Sequence, residues 1–556
     1  MIIKQLPMKL KFLLFAFLTI VFQQSSFAQE EEGALQIKLD DEESNYAIYP
    51  VAENGFLLRN ELSNTKRNTS SYNFTKYDTD LKKDKSYKIN LLKKQTICFS
   101  KYVGGNYFYL VTGLDLNYSG GVGQTACKQF TCYRLDLTNM TAKTINVTTK
   151  TPFHIKDLTE MNGTILLSGI SALSAKDLQT KICYWTFLCY IPLFFYKPEG
   201  HPVLIKLDFE KKTGNKKEIE FPNTSKVYTN ILSVDYSDTL GNVDMLLFSH
   251  TKKVTRAYVK PVINDKAGKE IELKFPATKN ITSGKIFTKS STDKYVAGLV
   301  GDTKKRNSAK GTFATTNGVF LASIVGGKLI YNKINNFSDF KNFKFLSKNG
   351  EKLAKRREKK NRNLSVAITT TTHYITENEN NVLVMGEAFF PTWRTETRYT
   401  TGANGQRVAT TVTVFDGYQW LGGYVIAYDK NGKMLWENGM KLGRVIKSYS
   451  NNKRLSFAES DNGDIVITCA LGDQIQTKTI HENGNADDDK FIDIKIADGG
   501  KKKANKRDNT FAAKIEPWYD NFYIAYNFQT IKKDKKEKGE KYSNYLNINK
   551  INMSNE

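Results

Sequence analysis

The sequence NVLVMGEAFFPTWR (residues 381–394), continued by GGYVIAYDKNGKMLWEN (residues 422–438), decides the fold. It contains three apolar runs, separated first by a threonine-rich excursion and then by the turn KNGK (430–433). Asn-Gly between apolar runs is a strong hairpin signal, because both residues tolerate a positive φ angle. The stretch therefore predicts a strand, a long excursion, a second strand, a tight turn and a third strand.

Weaker copies of this unit recur along the chain. They begin with NYFYLVTG (106–113), NGTILLSG (162–169), VDMLLFS (243–249), DKYVAGLVG (293–301) and NGDIVITCALG (462–472). Repeated four-strand units separated by turn residues are the signature of a β-propeller. We therefore predict an all-β chain, a β-propeller of four-stranded blades, with seven blades and eight as the alternative. A Greek-key sandwich pair is the other all-β fold that fits. Two incomplete ends predict ring closure, in which terminal strands share one sheet.

Residues 1–28 have the pattern of a secretory signal peptide. Basic residues precede an apolar run (12–22), and the sequence SFA (26–28) forms a small-x-small cleavage site. The run is too short for a membrane anchor, and no later apolar run reaches the about 18 residues of a spanning helix. The first cysteine is Cys98, so lipoprotein processing is not expected. The mature chain, 29–556, is expected to be one propeller domain in the periplasm or outside the cell.

The composition is basic. The chain has 556 residues, a formal net charge of +25 and 12% aromatic residues. Much of the charge lies in three clusters, KRREKKNR (355–362), KKKANKR (501–507) and KKDKKEKGEK (532–541). These clusters are typical of solvated loops, and peripheral contact with an anionic membrane surface is the alternative. The signal peptide and the lack of a nucleic-acid-binding module argue against nucleic acid as a partner.

Cysteines are few and fall partly in local pairs. Cys127 with Cys132 and Cys183 with Cys189 are close enough in sequence to form local disulfides in an oxidising compartment, and free thiols are the alternative. Cys98 and Cys469 are expected to be buried free thiols. No Cys/His set has zinc spacing, and neither a metal nor a cofactor is expected.

Three segments depart from the repeat. Insertions at 170–200 and 387–421 separate the two halves of a unit, and a short helical insertion is predicted near 338–363. Equivalent loops of a propeller emerge on one face, so the aromatic insertions should converge there and form a binding face. The candidate binding residues are Trp185, Tyr190, Glu387, Phe389, Phe390, Trp393, Arg394, Arg398, Tyr418 and Trp420. The alternative is that these rings only pin the insertions to the disc.

No catalytic residue is assigned. The chain contains none of the common hydrolase, phosphate-binding or dinucleotide-binding motifs. Glu387 fits a general acid or base, or a surface salt bridge to Arg394 or Arg398, which we favour. The run of aspartates at 487–489 is read as an acidic turn, with Ca²⁺ binding as the alternative.

The segments VLVMGEAFFPTWR, TVFDGYQW and VIAYDKNGKMLWEN resemble secreted β-propeller-like (kelch- and quinoprotein-like repeat) proteins of Gram-negative bacteria. The resemblance covers 381–438 and implies a fold rather than an activity. We expect a cell-envelope propeller that acts as a binding or assembly scaffold for a protein or glycan. A carbohydrate-active or other hydrolytic propeller, and a membrane-surface protein that uses the basic clusters, are the alternatives.

Overall fold

The computed structural model describes residues 31–553 except 40–42, 65–68, 93–94, 115–116, 120–123, 162, 173–199, 212–215, 222–227, 238–240, 251–254, 303–315, 343–368, 402–405, 449–452, 461, 495–512 and 533–541. Strands form nearly all of the regular structure, with 3-10 turns at Ala52–Asn54 and Phe337–Asp339. The second turn lies at the start of the expected helical insertion, most of which falls outside the described residues. Within those residues, no helix has the length and apolar character needed to cross a membrane.

The strands are, in chain order, β1 (Glu31–Leu39), β2 (Glu43–Pro50), β3 (Phe56–Asn64), β4 (Thr69–Tyr77), β5 (Lys83–Asn90), β6 (Gln95–Tyr102), β7 (Tyr107–Leu114), β8 (Asn117–Ser119), β9 (Gln124–Asp136), β10 (Thr141–Met161), β11 (Thr164–Ala172), β12 (Gly200–Asp208), β13 (Lys216–Glu220), β14 (Tyr228–Ser237), β15 (Asn242–His250), β16 (Thr255–Ile263), β17 (Lys266–Ala267), β18 (Ile271–Leu273), β19 (Lys279–Thr288), β20 (Lys294–Asp302), β21 (Gly318–Val325), β22 (Lys328–Asn336), β23 (Thr369–Glu377), β24 (Val382–Thr401), β25 (Arg407–Tyr428), β26 (Met434–Ser448), β27 (Leu455–Glu459), β28 (Ile465–Ala470), β29 (Gln474–Ile480), β30 (Lys490–Asp493), β31 (Lys514–Pro517), β32 (Phe522–Lys532) and β33 (Tyr542–Asn552).

These strands form antiparallel meanders of four positions, which we number as sheet groups 1 to 8; in group 4, β17 and β18 both pair with β16 and share the fourth position. Groups 1, 4, 5, 6 and 7 are β2–β5, β14–β18, β19–β22, β23–β26 and β27–β30. Groups 2 and 3 share β10, which pairs with β9 over 141–148 and with β11 over 153–161. Group 2 is therefore β6, β7, β9 and the start of β10, and group 3 is the rest of β10 with β11–β13. Group 8 joins the two ends of the chain, because β1 pairs with β33 beside β32 and β31.

Apolar clusters link the groups in a closed ring. Because side chains alternate between the two faces of a strand, neighbouring residues such as Leu110 and Val111 serve different clusters. Each cluster lies between two neighbouring groups and contains residues from both. One residue from each of the two groups stands for each cluster in the following pairs: Leu57 with Leu110, Val111 with Leu167, Leu204 with Met245, Leu246 with Phe320, Leu321 with Val384, Leu383 with Ile467, Ile475 with Ala525, and Ile524 with Phe56. Each group thus packs on the one before it and the one after it, and group 8 packs on group 1. This arrangement is all-β and propeller-like.

The first strands of most neighbouring groups lie close to one another, which places them at the inner edge of the ring, and we call the first strands the axial strands. They contact one another directly through side chains. Ser100 Oγ lies 3.0 Å from Tyr49 Oη between groups 1 and 2, and the amide of Thr288 donates to Asp235 Oδ2 at 2.5 Å between groups 4 and 5. Most axial strands also carry a bulge, for example between Thr372 and Tyr374. Such contacts satisfy backbone groups at the inner sheet edges, which have no strand beside them.

Connections on the two sides of the ring differ in length. Turns from the first to the second strand and from the third to the fourth are short, for example 51–55 and 429–433. The long connections 173–199, 303–317, 337–368, 494–513 and 533–541 all lead from a second to a third strand or from a fourth strand to the next group. In an antiparallel meander the strand ends that flank these two sets of connections lie on opposite sides. We call the side with the long connections the long-connection face.

Candidate functional site

The excursion between 387 and 421 is a paired ribbon rather than a loop. β24 and β25 pair along their whole length, from Val382 opposite Tyr428 to Thr401 opposite Arg407. β23 accompanies β24 only as far as Phe389, and β26 accompanies β25 only as far as Tyr418. Beyond these points no third strand among the described residues pairs with 390–401 or 407–417. We call this two-stranded part, which extends from the long-connection face, the arm.

Two irregularities lie at the base of the arm. The pairing of β24 with β25 shifts register at two places. At the first, Leu421 of β25 has no residue opposite it in β24, and at the second, Asp416 and Gly417 lie opposite the single residue Thr392. Gly417 has a φ of 92°, which favours glycine, and the Thr392 hydroxyl donates to the carbonyls of Asp416 at 3.0 Å and Gly417 at 2.9 Å. Bulges bend a strand and increase its twist. The arm is therefore set at an angle to the sheet from which it grows.

A ladder of aromatic rings connects the arm to the core. The ring centroids of Trp420 and Phe389 are 5.4 Å apart, and Phe389 lies 5.6 Å from Tyr418. The ladder continues from Tyr418 to Phe415 at 4.9 Å and from Phe415 to Trp393 at 5.5 Å. Trp420 and Phe389 are each 1% exposed, whereas Trp393 is 47% exposed. The buried end holds the arm in place, and the outer end offers a ring to solvent.

Glu387 anchors the buried end of the ladder. Its Oε2 accepts the indole N–H of Trp420 at 2.8 Å, and its Oε1 accepts the amides of Arg454 at 2.8 Å and Leu455 at 2.6 Å. His373 Nε2 lies 3.5 Å from the same oxygen. Since Arg454 and Leu455 belong to group 7, the carboxylate ties the arm-bearing group 6 to its neighbour.

The charge of Glu387 is stabilised where it lies. Burial by itself would raise the pKa of Glu387. Hydrogen bonds from His373 and from the amides of Leu455 and Arg454 have a larger, opposite effect and hold the pKa below its ordinary value of 4.5. Burial also lowers the pKa of Arg454, whose guanidinium lies 5.5 Å from the Trp420 ring centroid and donates to Ser448 Oγ at 2.6 Å. Glu387 is therefore an ionised anchor in the interior.

The arm has two different faces. Side chains alternate between the two faces of a strand, so Arg394, Glu396 and Arg398, at every second position of β24, lie together on one face, which we call the charged face. Arg394 donates to Glu396 Oε1 at 2.6 Å through Nη2, and Arg398 Nη2 lies 3.5 Å from Glu396 Oε2. This charged face also reaches the base of the arm, where Arg394 and Lys447 both pair with Asp416.

The opposite face of the arm carries exposed rings, and we call it the ring face. Trp393 and Tyr399 are 47% and 62% exposed, and the Arg407 guanidinium lies 5.3 Å from the Tyr399 ring centroid. Between the rings, four threonines form two opposed pairs, Thr395 with Thr413 and Thr397 with Thr411. Aromatic rings beside arginine are the composition found at the centres of binding interfaces.

The structure separates the candidate binding residues into three sets. Trp393, Arg394 and Arg398 are exposed on the arm, and Phe390 and Tyr418 are half-buried at its base. Glu387, Phe389 and Trp420 are buried, so the expectation that Trp420 and Phe389 lie on the binding surface is wrong. Their rings fill the space between groups 6 and 7 instead. Trp185 and Tyr190 lie outside the described residues.

The expectation about the partner of Glu387 is also corrected. The favoured salt bridge of Glu387 to Arg394 or Arg398 is replaced by the buried contacts described above, and the two arginines pair with Glu396. The sequence reasoning missed Asp416 and Lys447, which brace the base of the arm. No local pattern signals that pair, because Lys447 reaches it from the next strand.

The possible disulfide between Cys127 and Cys132 is not formed, and the alternative of free thiols holds for this pair. Both are free thiols on β9. Because a strand rises about 3.4 Å per residue, their Cα atoms are roughly 17 Å apart, whereas a disulfide needs a separation below about 7 Å. Cys469 is a buried free thiol, as predicted, whereas Cys98 is a free thiol that is only half-buried. Cys183 and Cys189 lie outside the described residues.

The acidic turn at 487–489 pairs with protein groups. His481 Nε2 lies 3.0 Å from Asp487 Oδ1, and Gln476 Nε2 donates to Asp489 Oδ2 at 2.8 Å. No set of three or more His, Cys, Asp or Glu side chains in the described ranges is placed to hold a metal ion. The arm thus remains the candidate binding site.

No family model and no curated protein matches the chain. Among solved structures, it is similar to a mutant of the Synechocystis apocarotenoid oxygenase (12% identity, TM-score 0.32, 52% of this chain and 64% of that one). It is also similar to the cobalt-substituted form of that oxygenase (12% identity, TM-score 0.31, 52% and 64%) and to the Pyrococcus horikoshii acylaminoacyl peptidase (9% identity, TM-score 0.35, 89% and 59%). The chain spans about three-fifths of the length of these structures. TM-scores this low carry no argument about function.

Proposed function

We propose that this chain is a secreted cell-envelope β-propeller of eight blades that serves as a binding scaffold, and that the arm binds a partner protein. The eight blades would be the eight sheet groups, since each packs on two neighbours around the ring. The apolar run at 12–22, with its basic flank, supports export across a membrane. The scaffold would then act in the periplasm or outside the cell.

The arm is the observation that carries the proposal. A two-stranded ribbon without a third strand is marginally stable in water, and its open edges are templates for another strand. Here the ribbon is also held rigidly at its base by Glu387 and the aromatic ladder. A rigid, exposed ribbon with a ring face and, within the described part of the chain, no third strand at its edges suits the addition of a partner strand, in which main-chain bonds give affinity and rings give specificity.

The test is photo-crosslinking in the native envelope fraction. A photoreactive side chain at Thr397, between the two exposed rings, should capture a discrete protein, and the same group at Phe491 should not. Phe491 is an exposed ring on β30, 50% exposed and so a close match to Trp393. Trp393→Ala combined with Tyr399→Ala should reduce capture roughly thirtyfold or more, because buried aromatic anchors cost about 2 kcal/mol or more when truncated.

The control variant is Phe491→Ala, which should leave capture at Thr397 unchanged. All variants should unfold at the same denaturant concentration as the unmodified protein, since neither exposed ring of the arm belongs to a core cluster. Capture that is equally strong with the doubly substituted arm would refute the proposal.

A further inference from the structure

Two aspartates lie opposite each other at the contact between groups 4 and 5. Asp235 of β14 and Asp244 of β15 are directly paired in the strand register, so their side chains lie on one face of the sheet with Cβ atoms about 5 Å apart. Thr288 of β19 joins both of them to group 5. Its amide donates to Asp235 Oδ2 at 2.5 Å, and its hydroxyl donates to Asp244 Oδ2 at 2.9 Å. The two carboxyl groups therefore share one small space between the groups.

Lys294, at the start of β20, supplies the positive charge at this place. Its Nζ lies 2.9 Å from Asp244 Oδ2, and it donates to the carbonyls of Ser291 at 2.8 Å and Ser290 at 3.3 Å. The side chains of Lys294 and Asp244 are 2% and 1% exposed, so water screens these charges little. Within the described part of the chain, no other lysine or arginine forms an ion pair with either aspartate.

The other titratable groups nearby do not supply a second cation. Lys285 of β19 acts on Asp235 without a hydrogen bond or ion pair among the described residues, and burial lowers its own pKa. Asp293, which precedes the contacting lysine, is a further acid. Burial raises the pKa of Tyr236, so its phenol stays neutral. Opposite the second aspartate, β16 places Pro261, which carries no charge. One ammonium group thus contacts a pair of carboxyl groups.

The two carboxyl groups differ in their hydrogen bonds. Asp235 accepts amides through both oxygens, from Thr288 at Oδ2 and from Tyr236 at Oδ1. Asp244 Oδ1, by contrast, is buried without a hydrogen-bond partner among the described residues. A charged oxygen in that situation is costly, and a second carboxylate directly opposite adds to the cost. Burial accordingly raises the pKa of both aspartates. A proton on Asp244 would remove one of two like charges and turn Oδ1 into a donor towards Asp235.

We propose that Asp235 and Asp244 bind one proton between them at neutral pH, and that this makes the contact between groups 4 and 5 sensitive to pH. With the proton, one carboxylate faces one ammonium group. Without it, two carboxylates repel each other beside the Thr288 contacts that join the axial strands β14 and β19. Folding takes up a proton here, because the folded pKa lies above the ordinary value of 3.8. The contact should therefore weaken as the pH rises above 3.8.

The test is urea unfolding of the full mature chain and of Asp244→Asn, near pH 4 and at pH 8. Asparagine has the shape of the protonated acid, and its amide can donate to Asp235. We expect similar urea midpoints near pH 4 and a higher midpoint for Asp244→Asn at pH 8, because the variant folds without taking up a proton. An ordinary buried ion pair gives the opposite result at pH 8, since the variant leaves Lys294 without an acid. An equal or lower midpoint of the variant at pH 8 would overturn the proposal.

The control variant is Asp473→Asn. The side chain of Asp473 is 66% exposed and pairs with Arg444, so the control should unfold almost as the unmodified protein does at both pH values.

Infrared spectroscopy detects the proton in the unmodified protein itself. At pH 7, we expect a carboxylic acid C=O band that shifts when the aspartates are labelled with carbon-13. The band should persist in Asp473→Asn and disappear in Asp235→Asn, where the single remaining carboxyl group pairs with Lys294. The lack of an aspartic acid band at pH 7, or its persistence in Asp235→Asn, would contradict the shared proton.

Discussion

A single carboxylate ties the arm to the neighbouring sheet group. Glu387 receives hydrogen bonds from Trp420 of its own group and from Arg454 and Leu455 of the next one. The sequence marks Glu387 as the residue at the mouth of the longest insertion. It does not reveal the anchoring role, because the partners lie 33 and 67 to 68 residues away in the chain. Only folding brings those donors together around one side chain.

Replacing Glu387 by glutamine should destabilise the protein. The change leaves buried donors without a charged acceptor, and we expect a loss of about 2 to 4 kcal/mol in the free energy of unfolding at pH 7. Because the folded pKa of Glu387 is depressed, its contribution is present above pH 4.5 and is lost as the pH falls through the folded value. The difference between variant and unmodified protein should therefore shrink below pH 4.5. Urea unfolding at several pH values measures both effects.

Glu396→Gln is the matched control for that substitution. Glu396 is a carboxylate of the same arm, but its partners Arg394 and Arg398 are exposed. Exposed pairs contribute about 0 to 1 kcal/mol, so the control should unfold almost as the unmodified protein does. Equal losses from the two substitutions would contradict the anchoring role of Glu387.

Among the strands, the bulges in the axial strands explain why glycine recurs at one position of the repeat. In the sequence, the apolar strand that becomes the second strand of a group often contains a glycine near its end, as at Gly169 and Gly386. In the structure, a Cβ at Gly386 would lie 1.9 Å from the carbonyl oxygen of Thr371, just before the bulge in β23. A Cβ at Gly169 would lie 2.3 Å from the carbonyl oxygen of His154, close before the bulge in β10. Glycine is thus required where the bulged axial strand approaches.

Gly386→Ala should therefore be destabilising even though alanine suits a strand better than glycine. The methyl group would collide with backbone, which cannot move aside as a flexible side chain can, and we expect a loss of about 1 to 3 kcal/mol. Thermal and urea unfolding measure it. Gly33→Ala is the control, because its Cβ would meet only Leu81 Cδ1 at an ordinary 3.6 Å. An unchanged stability of Gly386→Ala would show that the axial strand can shift.

The arm shows which strand residues can be predicted from the sequence and which cannot. The flanking apolar runs and the Asn-Gly turn predict the parts of β24, β25 and β26 within the sheet. The sequence predicts an insertion at 387–421 in which residues 397–414 form a protruding hairpin. In the structure its polar residues pair across the full ribbon, because backbone pairing does not require an apolar face. Hydrophobic periodicity therefore underestimates the length of exposed ribbons.

At the scale of the whole molecule, β1 completes the ring. It pairs with β33, and Leu35, Ile37 and Leu39 pack against the cluster between groups 8 and 1. The incomplete ends of the repeat predict this closure. The number of groups is harder to read, since β10 runs from group 2 into group 3 and leaves no gap in the pattern.

A chain that begins at residue 40 should lose this closure. We expect a lower denaturant midpoint and a less cooperative transition, since each aliphatic side chain removed from the cluster contributes up to about 1.5 to 3 kcal/mol. The exposed edge of β33 should also cause association, seen as early elution in size-exclusion chromatography. A chain that begins at Gln29 is the control. Identical unfolding and elution of the two chains would contradict the role of β1 in closing the ring.

The all-β fold class, the four-strand repeat and the segment that departs furthest from it can be read from the sequence alone. Those features are local, because strand alternation and turn residues act between close neighbours in the chain. Tertiary contacts alone settle which aromatic residues are buried and why Trp393 and Trp420 differ in exposure. Such properties depend on contacts between residues far apart in sequence, and these exist only once the ring has closed.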